Sequence, residues 1–325
     1  MSAAPQTRPG MAITGVGLAV PGVDDPADLR TGGWQPTAPA VDPAARLGRR
    51  GLRYKDRATQ LALCAARDAL ADALVLTEDG PTVDPESVAV VVSSNLGNLD
   101  TVCRVADTIG AEGVSGTSPM DLPNASSNVI ASSVAIRFGL RGPNLTVCNG
   151  APSGLDAVRW ATRLIAAGRA ELAVVVGVET DNEVVRRLLG PGPHFDGAAA
   201  VVVEAAGPAA ARGIAARAEL GRYVRAADLA GCLRELGPEP PETSWCLPDG
   251  LADEPLTGAV TRIPDSAAAT GVLQCVVAAV RADAGTVRAV AGSRHGAGTA
   301  VLELRPAGAV PARTAPAGHT VAAAG

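Results

Sequence analysis

Unbroken apolar runs punctuate the chain at Val88–Ser93, Leu172–Val178 and Ala198–Glu204, the pattern of strands buried on both faces. Met11–Val16 and Asn144–Cys148 predict two further strands. Helical spacing lies between them. Ala58, Leu61, Leu63, Ala65, Ala66 and Leu70 cover one broad face of Asp56–Leu74, and Leu155, Val158, Ala161, Leu164 and Ile165 mark a helix that Gly168 stops. Met120–Gly139 predicts a helix full of small residues, which let another surface approach closely. After Pro208 the pattern restarts: strand Ile214–Ala218, helix Ala226–Leu236, strand Thr243–Leu247, helix Ser266–Arg281, and strands Val287–Ala291 and Thr299–Leu304. Such alternation implies layered α/β sheets with helices between and around them. Two similar halves are expected, 11–207 and 208–305, with 1–10 and 306–325 as disordered ends.

Composition narrows this picture. The chain is 47% hydrophobic with only 2% aromatic residues, so its core must be built from small aliphatics. A net charge of −5 gives no reason to expect nucleic acid. Arg46, Arg49, Arg50 and Arg53 form a basic cluster best read as a solvated face. The six cysteines show no metal-binding spacing. MSAAPQTRPG has no apolar signal core, and no run approaches a membrane span. The expected setting is soluble, reducing and cytoplasmic.

The unit 142–179 combines strand, tight turn, helix and strand. Its elbow, Asn149-Gly150-Ala151-Pro152-Ser153-Gly154, sits where a fold would mount a nucleophile at a helix N-terminus. Nothing nucleophilic stands at its apex.

VAIRFGLRGPN (134–144) followed by this elbow and AELAVVVGVET (170–180), FDGAAAVVVE (195–204) and GSRHGAGTAVLEL (292–304) together resemble the β-ketoacyl synthases. The resemblance implies a thiolase-like fold, with two similar halves in an α-β-α-β-α layering. It also implies decarboxylative Claisen condensation, in which a Cys thiolate holds the acyl chain and two His assist decarboxylation. Aligned on those motifs, Ala151 stands at the cysteine position, Trp245 or Cys246 at the first histidine and Asp265 at the second. The glycine-rich turn reads Arg294-His295-Gly296-Ala297-Gly298, with Gly296 where a gating phenylalanine is usual. All three catalytic positions are therefore degenerate, and no catalytic residue, cofactor or metal is expected in this chain.

Within the family such a chain resembles the chain-length factor of type II polyketide synthases, and in its short build the polyene-forming, highly reducing kind. That resemblance implies a heterodimer with an active ketosynthase, or a dimer of such heterodimers. It further implies an acyl carrier protein bringing the growing polyketide on phosphopantetheine. Asn144, Thr146, Cys148, Asn124 and Asn128 are then expected at the interface. Leu122, Ser126, Ser127, Ile130 and Gly296 are expected along the acyl tunnel, Ser126 leaving room for a long chain. Two other readings compete. One is a thiolase-fold acyltransferase or cyclase using relocated Cys246, His295 and Asp265; the other is a purely structural partner. Cys148 reads as a buried structural thiol, His295 as vestigial, His194 as surface, and Asp265 as a helix cap.

Overall fold

The computed structural model describes residues 10–31, 38–192, 194–240, 242–251, 256–281, 285–292 and 298–308. The expected disordered ends fall outside this range except for Gly10 and residues 306–308.

In chain order the first half contains β1 (Met11–Ala19), α1 (Pro43–Leu47), α2 (Arg57–Asp72) and a small hairpin of β2 (Leu76–Thr77) and β3 (Gly80–Pro81). β4 (Val88–Ser93), α3 (Leu99–Glu112), α4 (Val129–Phe138), β5 (Asn144–Val147), α5 (Ser153–Ala166), β6 (Leu172–Glu179), α6 (Glu183–Leu189) and β7 (Gly197–Ala205) follow. A short α7 (Ala206–Ala211) holds the expected boundary at 207/208 and leads to the second half. That half comprises β8 (Ala218–Ala226), α8 (Leu229–Leu236), β9 (Ser244–Pro248), β10 (Val260–Ile263), α9 (Thr270–Val280), β11 (Val287–Gly292) and β12 (Thr299–Pro306).

Ten strands join in the order β10-β9-β11-β12-β8-β1-β7-β6-β4-β5. Setting the hairpin aside, each half arranges its own strands third, second, fourth, fifth, first. Each also repeats the same directions, with two parallel ladders (β4 with β5 and β6; β9 with β10 and β11) and then antiparallel ones. The duplication expected from the restart of the pattern is thus a topological one. Among the described residues, only Ala12–Glu219 and Ile13–Ala218 pair the halves along the sheet.

Three cores define the layers. One, between the halves, combines Leu155, Val158 and Ala161 of α5 with Val272 and Val276 of α9 and inward residues of both sets of strands. A second packs α2 and α4 on the outer face of the first half, and a third packs α8 against Trp245, Leu247 and Val301. This is the α-β-α-β-α order expected.

Several elements depart from the pattern. The helix expected over 120–139 is helical only as a 3₁₀ turn at Pro123–Ala125 and then as α4. Ser126 between them is extended at ψ 137, and its carbonyl accepts from Asn98 Nδ2 at 3.0 Å. The strand expected at 214–218 is instead β8, which carries Glu219, Arg222 and Arg225. Arg222 and Arg225 are exposed there, beyond the two residues, Ala218 and Glu219, that β1 covers. α3 was invisible to periodicity because only Thr101 and Val105 of its fourteen residues are buried.

Candidate functional site

The C-terminal ends of the parallel strands converge. Ser93 at the end of β4 donates to the Ala268 carbonyl at 2.9 Å, tying the first half to the turn before α9. Leu96, Glu179, Thr180, Asp265 and Ser266 line one cavity of about 110 Å³ there. Beside it the two central helices meet backbone to backbone at their starts. A Cβ on Gly271 would lie 2.3 Å from the Leu155 nitrogen, and one on Gly154 would lie 2.7 Å from the Gly271 nitrogen. Only glycine permits this approach, so the elbow's sequence and the start of α9 are matched parts.

The elbow is held from three sides. Gly150 adopts φ +78°, which lets the chain reverse at Ala151. Ser153 Oγ accepts from the Asn149 N–H and donates to the Gly150 carbonyl, each at 2.7 Å. Asn95 Oδ1, reaching from the loop after β4, accepts the Gly150 N–H at 3.2 Å. On the far side Asn149 Nδ2 donates at 3.0 Å to Asp156, a buried carboxylate on α5. The same carboxylate accepts from Arg225 at 2.6 Å and from the Tyr223 hydroxyl, both on β8 of the second half. Burial and the Asp156 hydrogen bond push the Tyr223 hydroxyl well above its ordinary range, so it stays protonated and donating.

Glu179 ends β6 and is only 4% exposed. Its carboxylate accepts from the N–H groups of Asn95 at 2.6 Å and Leu96 at 3.1 Å and from Ser94 Oγ at 3.4 Å, with a further backbone bond from Ala268. Burial outweighs these donors and raises the carboxyl to about 7. The folded chain therefore binds this proton more tightly than the unfolded chain does. The stability Glu179 contributes is complete below its ordinary value of 4.5 and is lost as pH rises through about 7. Denaturation of wild type and Glu179→Gln across pH 4–8 should show it. The wild type should lose about 3 kcal/mol relative to the variant over that rise; a constant difference would contradict the assignment.

Among the sequence-predicted positions, Ala151 and Asp265 stand at the helix ends that meet here. Asp265 caps its turn, accepting the Ala267 N–H at 3.0 Å. Trp245 and Cys246 do not belong to the site. Both lie inside β9 at 1% exposure, upstream of its end at Pro248, because the strand runs farther than the motif count allowed. Trp245 faces the outer core, donates to the Thr257 carbonyl at 2.9 Å and carries the Arg288 guanidinium 5.3 Å above its ring. Cys246 faces the central layer, and burial pushes its thiol up to about 12, which removes it as a relocated nucleophile. Cys148 reverses the opposite way. It is exposed, because β5 stops at Val147 on the sheet edge, yet desolvation and Glu179 hold its thiol above the ordinary value. His194 is half-buried and lines the Glu179 cavity. His295 and Gly296 lie outside the described residues.

The expected interface side chains are largely committed within the chain. Asn128 donates to Asn144 at 2.7 Å and accepts from Thr146 at 2.8 Å, while Asn144 donates to the Ala131 carbonyl at 3.0 Å. Asn124 is buried, its amide donating to the Tyr54 and Met120 carbonyls at 2.6 and 2.8 Å. Leu122, Ser126 and Ser127 are exposed, whereas Ile130 is buried beside Ala58 and Gly97.

Sequence reasoning missed Glu179, Asn95, Asp156, Tyr223 and Arg225. Two signals were available: a carboxylate closing the apolar run of β6, and one on the apolar stripe of α5. No helix among the described residues is long and apolar enough to cross a membrane, and they contain no His/Cys/Asp/Glu group able to hold a metal.

Residues 19–187 match the family model for the β-ketoacyl synthase N-terminal domain. The chain is 36% identical over 119 residues to 3-oxoacyl-[acyl-carrier-protein] synthase 2 of Rhizobium meliloti (strain 1021), covering 37% of this chain and 28% of that protein. It is 30% identical over 197 residues to the granaticin polyketide putative beta-ketoacyl synthase 1 of Streptomyces violaceoruber, covering 52% and 46%. The chain thus matches less than half the length of either relative. In fold it is similar to the ishigamide ketosynthase/chain length factor, with TM-score 0.72 and 24% identity over 92% of this chain and 100% of that one. It is likewise similar to a type II polyketide ketosynthase solved with its acyl-carrier protein and a hexaketide, with TM-score 0.74 and 17% identity over 92% and 99%.

Proposed function

The chain belongs to the β-ketoacyl synthase family, and from that premise we propose that it is a non-catalytic chain-length factor. On this reading it pairs with an active ketosynthase and shapes the acyl tunnel during decarboxylative Claisen elongation of a polyketide. The observation that carries the reading is the elbow. Where the two central helices meet at Gly154 and Gly271, the apex presents the methyl group of Ala151, which cannot form a thioester. The exposed thiol nearby, Cys148, is held toward its unreactive form.

The surface around the elbow supports a partner. β5 is the last strand of the sheet, and its outer edge pairs with no strand among the described residues. Such edges invite a second chain unless they are covered. Met120 and Leu122 expose 52% and 45% of their surface on the segment just upstream, as an interface awaiting burial would. The growing chain would arrive on the phosphopantetheine arm of an acyl carrier protein, and the ketosynthase partner would supply the cysteine and histidines. This chain needs no cofactor of its own.

Leu122, Ser126 and Ser127, exposed on this segment, would close the far end of the partner's tunnel. Co-expression with an intact ketosynthase and Ser126→Phe should shift products toward shorter chains by one or more extension units. An unchanged product distribution at normal complex yield would contradict the tunnel assignment and leave a purely structural partner.

A further inference from the structure

We propose that the open face of α5 is a docking surface for a carboxylate-bearing face of the ketosynthase subunit, a contact that rests on the pairing proposed above. α5 and α9 are counterparts in the duplicated fold, each joining the third and fourth strands of its half. All eleven residues of α9 are buried. α5 instead exposes Arg159, Trp160, Arg163 and Ala166, which helical spacing places on one face.

The difference has a cause in the chain. Residues 20–42 separate β1 from α1, and among them the 3₁₀ turn Pro26–Thr31 packs against α9. Its Leu29 joins Val280 in the central core. In the second half β8 passes to α8 through Ala227 and Asp228 alone, which leaves no corresponding segment to cover α5. Trp160 keeps 44% of its surface exposed. An exposed tryptophan alone would say little; here it marks where a central layer lacks its cover.

The charge of the face selects its occupant. The Arg163 guanidinium lies 5.6 Å above the Trp160 ring, and that of Arg159 lies 5.8 Å above the Tyr223 ring. Among the described residues neither arginine forms an ion pair, and the one carboxylate of α5, Asp156, is already occupied by Asn149, Tyr223 and Arg225. A guanidinium stacked on a ring can still turn its N–H edge to a carboxylate. A second copy placed here by a two-fold axis would set Arg159 and Arg163 against themselves, with no carboxylate of α5 to answer them. A different chain that offers carboxylates to the arginines and an apolar surface to Trp160 satisfies the face.

Affinity of the full chain for the intact ketosynthase co-expressed with it, measured at low and high salt, tests the proposal. At low salt the double variant Arg159→Glu, Arg163→Glu should bind about thirtyfold more weakly than wild type, and high salt should narrow the gap. Trp160→Ala should cost about tenfold at either salt. Arg163→Glu alone leaves Arg159 on Tyr223, and should cost about fivefold even where the double variant fails to fold. Equal binding by wild type and the charge-reversed chains would overturn the α5 surface while leaving the pairing intact. No binding by wild type would contradict the pairing itself and the proposal with it. Loss of acyl carrier protein binding with unchanged ketosynthase binding would assign the face to the carrier and overturn the proposal. Self-association of wild type that charge reversal abolishes would assign it to a second copy, with the same result.

Discussion

Gly271→Val is expected to leave little folded chain. The new Cβ alone would stand 2.3 Å from the Leu155 nitrogen and 2.7 Å from the Gly154 carbonyl carbon. Both are backbone atoms at the start of α5, so no rotamer change can relieve the overlap. The helices would have to separate, opening the central core that both sets of strands share. Overpacking of this kind costs about 1–3 kcal/mol where side chains can yield, and more where they cannot. A loss above about 4 kcal/mol is a large share of ordinary domain stability. Gly271→Ala provides the measurable form. Its helix-propensity gain of about 1 kcal/mol should be outweighed, leaving a net loss of about 2 kcal/mol in denaturant midpoint. A neutral or stabilised Gly271→Ala would mean that the helices do not meet as described.

Asp156→Ala should be nearly as damaging. The substitution removes the shared acceptor of three donors from two halves of the fold: Asn149 at the elbow, and Tyr223 and Arg225 on β8. Removing one partner of a buried charge pair costs about 3–5 kcal/mol, but the Arg225 side chain is 34% exposed and can turn to water. The expected loss is therefore about 3 kcal/mol, near the lower bound. Asp156→Asn should recover part of it, since the amide oxygen still accepts. Equal stability of Asp156→Ala and wild type would show that the halves are not joined through this carboxylate.

The parts of this fold that were legible in the sequence are those governed by burial. β4, β6, β7, α2 and α5 are apolar runs or stripes, and their positions follow from which residues must leave water. The duplication was legible for the same reason, since the pattern restarts after Pro208. What escaped were elements whose identity depends on neighbours. β8 is a strand because β12 pairs along its length, although its own residues alternate charge with apolar groups. The site divides in the same way. The empty apex at Ala151 could be read directly, and Asp265 could be read as a cap. Counting along a motif placed Trp245 and Cys246 at the site, but a count carries no information about where a strand ends. Cys148 was read as buried from its apolar neighbours; it is exposed because its strand is the last in the sheet, a fact of topology. Asn95 and Glu179 lie 84 positions apart, and only folding brings them together.

The central claim is that this member of the β-ketoacyl synthase family mounts no acyl group of its own. Intact mass of the purified chain after incubation with short and medium acyl thioesters of N-acetylcysteamine tests it most directly. The account predicts an unchanged mass, while an intact ketosynthase treated in parallel gains one acyl group. A stoichiometric thioester adduct on any cysteine of this chain would contradict it.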